Sequence, residues 1–90
     1  MEKVILYGAG KSGHIMASFF NSLGLKNSIA FICDQNASEI KTFDGIPVIS
    51  YKKAKVLHLP FLISVRAESR QEIRNLLDKD KQKYYFDLAD

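Results

Sequence analysis

Three glycines fall within six residues at Gly8-Ala9-Gly10-Lys11-Ser12-Gly13. This G-x-G-x-x-G lies directly after an apolar run and directly before a stretch with helical spacing, the context that raises it above a chance match. The first glycine permits a tight turn, and the second lets backbone N–H groups approach a diphosphate. The third lets a helix pack close to a sheet with its positive end aimed at the anion. Anion binding is therefore the chemistry on offer, with Gly8, Gly10, Lys11, Ser12, Gly13 and His14 as candidate contacts. The alternative is a tight turn with no ligand. Gly10-Lys11-Ser12 resembles the end of a P-loop, but that motif requires glycine where Ile5 stands. Walker-type ATP hydrolysis does not fit.

Asp34 lies 21 positions beyond Gly13, where a second strand should end. A carboxylate there can accept hydrogen bonds from ribose hydroxyls or a base edge; it can equally start a turn through Gln35 and Asn36. Lys11 is either a point charge beside a phosphate or a solvated loop lysine. His14, in the first helical turn, reads as a neutral hydrogen-bonding imidazole, because a helix N-terminus disfavours the cation. Arg66 and Arg70 flank the other side of the expected crevice, as diphosphate clamps or as surface arginines. His58, beside Leu59-Pro60, reads as surface. Nothing around Cys33 argues for an activated thiol.

The groups needed for catalysis are missing. There is no Ser-His-Asp order, no pair of carboxylates in one loop, and no H-x-x-H or C-x-x-C spacing for a metal. Binding can be argued from these residues, whereas catalysis by this chain alone cannot.

The elements that must position these groups alternate along the chain. Val4-Ile5-Leu6-Tyr7 is the short apolar run of a strand buried on both faces. Ile15, Met16, Phe19, Phe20 and Leu23 recur at helical spacing, and Gly24 supplies the stop. Ile29–Cys33 is a second strand, followed by a polar loop over 34–45. Ile46–Ile49 is a third strand whose proline places it at a sheet edge. Ser50 caps a brief helical turn, and a fourth strand spans Phe61–Val65. Ser69-Arg70-Gln71-Glu72 reads as a capping box for a helix carrying Ile73, Leu76 and Leu77. Tyr84-Tyr85-Phe86 is a fifth strand.

Strand–helix alternation predicts a small α/β, Rossmann-like, three-layer domain spanning 1–90. Its parallel sheet has four to five strands in the order 3-2-1-4-5. The chain reverses direction between strands 1 and 4, so a ligand belongs beyond their carboxyl ends, between the Gly8–Gly13 and Arg66–Ser69 loops.

Ninety residues, 47% hydrophobic and 26% charged, describe one globular domain. A single cysteine excludes a disulfide framework and suits a reducing compartment. No apolar run approaches the ~20 residues that span a bilayer, and no signal-peptide layout opens the chain, so a cytoplasmic location is expected. The net charge of +3 is a mild excess. Lys52, Lys53 and Lys55, and Lys79, Lys81 and Lys83, do not interleave with aromatics, and they read as solvated faces with no nucleic-acid partner.

The residues Val4-Ile5-Leu6-Tyr7-Gly8-Ala9-Gly10, Ile29-Ala30-Phe31-Ile32-Cys33-Asp34 and Phe43-Asp44-Gly45-Ile46-Pro47-Val48-Ile49 together resemble the N-terminal domain of PglD-type sugar acyltransferases. That resemblance implies a parallel α/β module holding a UDP-sugar by its nucleotide end. The diphosphate would lie at Gly8, Gly10 and the start of the first helix, with uridine near Asp34. The acyl-transfer chemistry would come from a separate left-handed β-helical domain, fused or associated. Two features depart from the family: Cys33 stands where tandem acidic residues begin, and Gly10-Lys11-Ser12 replaces Gly-Gly-His. The expectation is a UDP-sugar-binding module of a bacterial sugar-modifying transferase. An NAD(P)-binding unit of an oxidoreductase or redox sensor is the second reading, and an interaction domain with a vestigial pocket, self-pairing through Ile46–Ile49 or Tyr84–Phe86, is the third.

Overall fold

The computed structural model describes residues 3–8, 11–34, 42–43, 45–65 and 67–86. Strand β1 (Val4–Tyr7) leads to helix α1 (Lys11–Ser22) and strand β2 (Ile29–Cys33). Strands β3 (Thr42–Phe43) and β4 (Ile46–Ile49) follow. The one-turn helix α2 (Tyr51–Ala54), strand β5 (Phe61–Ile63), helix α3 (Ala67–Lys79) and strand β6 (Tyr84–Phe86) complete the order. The sheet runs β3-β4-β2-β1-β5-β6. All neighbours pair in parallel except β3 and β4, which pair antiparallel. The five parallel strands thus have the expected order 3-2-1-4-5.

The strands are apolar on both sides because both sides are covered. Val4, Leu6, Ile29, Ile32, Ile46 and Val48 pack against Met16, Ala17 and Phe20 of α1. On the other face Ile5, Cys33, Phe61 and Ile63 pack with Ala54 and Leu77, from α2 and α3. A one-residue slip in the β1–β2 ladder, with Val4 opposite Ile29 but Ile5 opposite Phe31, sends Ile29 and Phe31 to opposite faces. Such a bulge reverses the alternation and so gives each layer its apolar residues.

Helix α1 stops where glycine demands it. Gly24 has φ +73°; its N–H donates to the Asn21 carbonyl at 3.0 Å, and that of Leu25 donates to the Phe20 carbonyl at 2.8 Å. These two bonds form a Schellman stop. Ser50 caps α2 by accepting from the Lys53 N–H at 3.4 Å.

Four local expectations need correction. The 34–45 segment contains β3, which pairs Phe43 with Ile46 across a two-residue connection. Asp-Gly between two pairing residues is a hairpin signal, and Gly45 has the positive φ, +80°, that such turns use. Consequently β4 is the rim of the parallel sheet but not an open edge. The fourth strand is shorter than expected, ending at Ile63. Helix α3 begins at Ala67, which places Ser69 inside the helix and leaves no capping box there. Lastly, Ile15, Phe19 and Leu23, expected on the buried face of the first helix, are exposed.

Candidate functional site

The crevice expected at the strand-order reversal is framed by backbone. Gly8 follows β1 and donates its N–H to the Cys33 carbonyl at 2.9 Å; on the other side the Ser64 N–H donates to the Tyr7 carbonyl at 3.0 Å. The Asp34 N–H donates to the Ile49 carbonyl at 3.2 Å. The carboxyl ends of β1, β2, β4 and β5 are therefore laced into one rim, with Gly8 at its centre and half-buried Asp34 on the neighbouring strand end.

Gly8 is buried with φ +118°. A Cβ there would lie 2.6 Å from the Ser64 carbonyl oxygen and 2.9 Å from Val65 Cγ1. The first glycine of the motif is thus required by the close approach of the β1 and β5 exits, whether or not a ligand is bound. Helix α1 starts three residues later, so Lys11, Ser12, Gly13 and His14 form its first turn. This turn belongs to the helix and not to a preceding loop. In a helix the first N–H groups lack internal acceptors and carry partial positive charge. Gly10, Arg66 and the side chains of Lys11, Ser12 and His14 lie outside the described residues. The structure brings together Gly8, the start of α1 and Asp34.

Tyr7, the last residue of the apolar β1 run, is only partly buried and also reaches this rim. Its ring lies 6.1 Å from those of Tyr51 and Phe61, beneath the crevice on the α3 side. Burial, then the nearby Cys33, Asp34 and Glu72, push its phenol up to about 12. Burial, followed by the Asp34 charge, pushes the Cys33 thiol up to about 12. Both groups are neutral at physiological pH, and the sulfur is no nucleophile. The signal for Tyr7 was its position, the last residue of the first strand before the first glycine. Ser64, buried at the end of β5, carried no such signal.

His58 is exposed at φ 56°, ending a 3₁₀ turn away from the rim. Among the described residues no group of three His, Cys, Asp or Glu side chains could hold a metal ion. Nor is any described helix long and apolar enough to cross a membrane.

The fold is shared with the crystal structure of RSP, a Rex-family repressor, at a TM-score of 0.71 and 15% identity. The match covers 98% of this chain and 46% of that one, so this chain spans about half the length of that protein. No curated protein sequence matches the chain. Its residues 1–85 match the C2185-like N-terminal family. The chain belongs to the C2185-like N-terminal family.

Proposed function

We propose that the domain is a non-catalytic nucleotide-binding module that takes a diphosphate over the start of α1 and a ribose on Asp34. The carrying observation is the placement of Gly8 on the laced rim at the edge of the β1–β5 strand-order reversal, with Asp34 beside it at the end of β2. Open α/β sheets bind ligands in that crevice. A helix N-terminus there offers N–H groups to phosphate oxygens, and a half-buried carboxylate accepts from vicinal hydroxyls.

A UDP-sugar is the first ligand to test. The resemblance to PglD-type domains supports it, and the sugar would then be presented to a transferase domain, fused or separate. NAD(H) is the second reading. It is favoured by the carboxylate at the end of β2, which suits an adenosine ribose and repels the 2′-phosphate of NADP.

Isothermal titration with UDP-N-acetylglucosamine, UDP, NAD and NADH tests both readings. Selective heat with the uridine ligands supports the transferase module; selective heat with NAD or NADH supports the redox reading. Asp34→Ala should weaken whichever ligand binds at least tenfold, about 1.4 kcal/mol, with an unchanged melting temperature. Absence of binding by all four at millimolar concentration would sink both and leave a scaffold.

A further inference from the structure

Helix α1 carries an apolar stripe that its own sheet does not use. Met16, Ala17 and Phe20 face the core. Ala17, Ser18 and Asn21 line a shallow cavity of about 200 Å³ with Lys26 and Ile46, so that flank of the helix faces the β4 rim. At 100° per residue the opposite flank carries Ile15, Phe19 and Leu23. They are 53%, 50% and 55% exposed. On the β5–β6 half of the sheet Leu62 packs against the α1-side core, and its in-register neighbour Tyr85 is 43% exposed with Lys83 Nζ 5.5 Å from its ring centroid, so charge returns beyond the helix.

Two properties of this stripe select its occupant. The first is charge: residues 15–25 contain no charged side chain, whereas α3 carries six. Depletion of charge with aromatic enrichment marks the centre of an interface and offers an unrelated partner no electrostatic address. The second is symmetry, because Ile15 and Leu23 each lie four residues from Phe19, so the stripe reads alike in both directions. A two-fold axis through Phe19 lays Ile15 of one copy against Leu23 of the other, as an isologous contact requires.

We propose that α1 is a homodimer interface in which two copies pack antiparallel through Ile15, Phe19 and Leu23. The three half-exposed side chains offer on the order of 300 Å² per protomer, less than half of a standard interface. The uncharged, exposed Ser22 extends it. Such an area belongs to a weak, reversible association and not to an obligate dimer.

Sedimentation velocity of the full chain from micromolar to about 1 mM tests the association itself. The expected result is a concentration-dependent shift to dimer, weakened at least tenfold by Phe19→Glu and by Leu23→Lys with unchanged circular dichroism. Oxidation of Phe19→Cys should give a disulfide-linked dimer, while Gln71→Cys on the α3 face should not. Buried Cys33 leaves that readout clean, and the cross-link decides the matter should the charged variants misfold. A monomer throughout the range overturns the proposal. So does a dimer indifferent to both charged substitutions, which would point to strand pairing at Tyr84–Phe86, or a Phe19→Cys chain that cross-links no faster than Gln71→Cys.

Discussion

Two glycines with positive φ separate geometric need from mere tolerance. Gly8→Ala forces a Cβ to within 2.6 Å of a carbonyl oxygen at φ +118°, so it should destabilise by about 2–4 kcal/mol. Gly24→Ala meets nothing within 4 Å, and should cost only about 1 kcal/mol through its left-handed backbone. Urea unfolding of the two variants side by side checks the contrast. Cys33 sets an alkaline limit. Its folded pKa, about 12, lies above the 9.0 of an unperturbed thiol. Stability conferred by the neutral thiol is therefore complete below about pH 9 and falls as pH rises toward 12. Tyr7, raised from 10.0 to about 12, adds to the loss above pH 10. The unfolding midpoint should be flat from pH 7 to 9 and then decline, with the onset moving toward pH 10 in Cys33→Ala. The glycine spacing and Asp34 were legible in the sequence because they follow an unambiguous strand. The requirement for Gly8 was not, since the clashing Ser64 carbonyl lies 56 positions away.

Short elements here depend on one another more than on their own propensities. The four residues of α2 are far below the length at which a helix is stable alone. They are held by the Ser50 cap and by the Tyr51 hydroxyl, which donates to Asp80 Oδ2 at 2.6 Å just beyond α3. Lys55 Nζ approaches the same carboxylate at 3.8 Å. Tyr51→Phe should cost about 1–2 kcal/mol by removing a charge-assisted hydrogen bond. Ser50→Ala should cost about 0.5 kcal/mol, because the capping bond is long. Chemical denaturation of the single and double variants measures both. The strands and the two long helices were legible because burial on both faces leaves continuous apolar runs and because α1 and α3 repeat at 3.6 residues. The start of α3 was misplaced because Ser69-x-x-Glu72 imitates a cap that tertiary packing does not use. The β3–β4 hairpin was missed because two residues are too few to show alternation.

At the scale of the whole domain, the sheet is completed from its far end. The Phe61 N–H donates to the Lys83 carbonyl at 2.8 Å, and Tyr84 packs on the core of the α3 face. Tyr84 also donates to Asp78 Oδ1 at 2.8 Å and accepts from Arg74 Nε at 3.2 Å, tying β6 to the helix before it. Truncation before Tyr84 should abolish the cooperative unfolding transition and the near-ultraviolet dichroism, since it uncovers Phe61 and Leu77 in a domain with little core to spare. The layer order was legible at this scale from alternation and the right-handed crossover rule. The unequal covering of the two faces was not, because Ile15, Phe19 and Leu23 obey the same helical period as the buried residues beside them. That uncharged stripe gives the surface a thermal character. Hydration of apolar groups becomes less unfavourable on cooling, so whatever α1 holds should let go in the cold and tighten on warming. It should also respond to sulfate by tightening, opposite to a contact built from ion pairs.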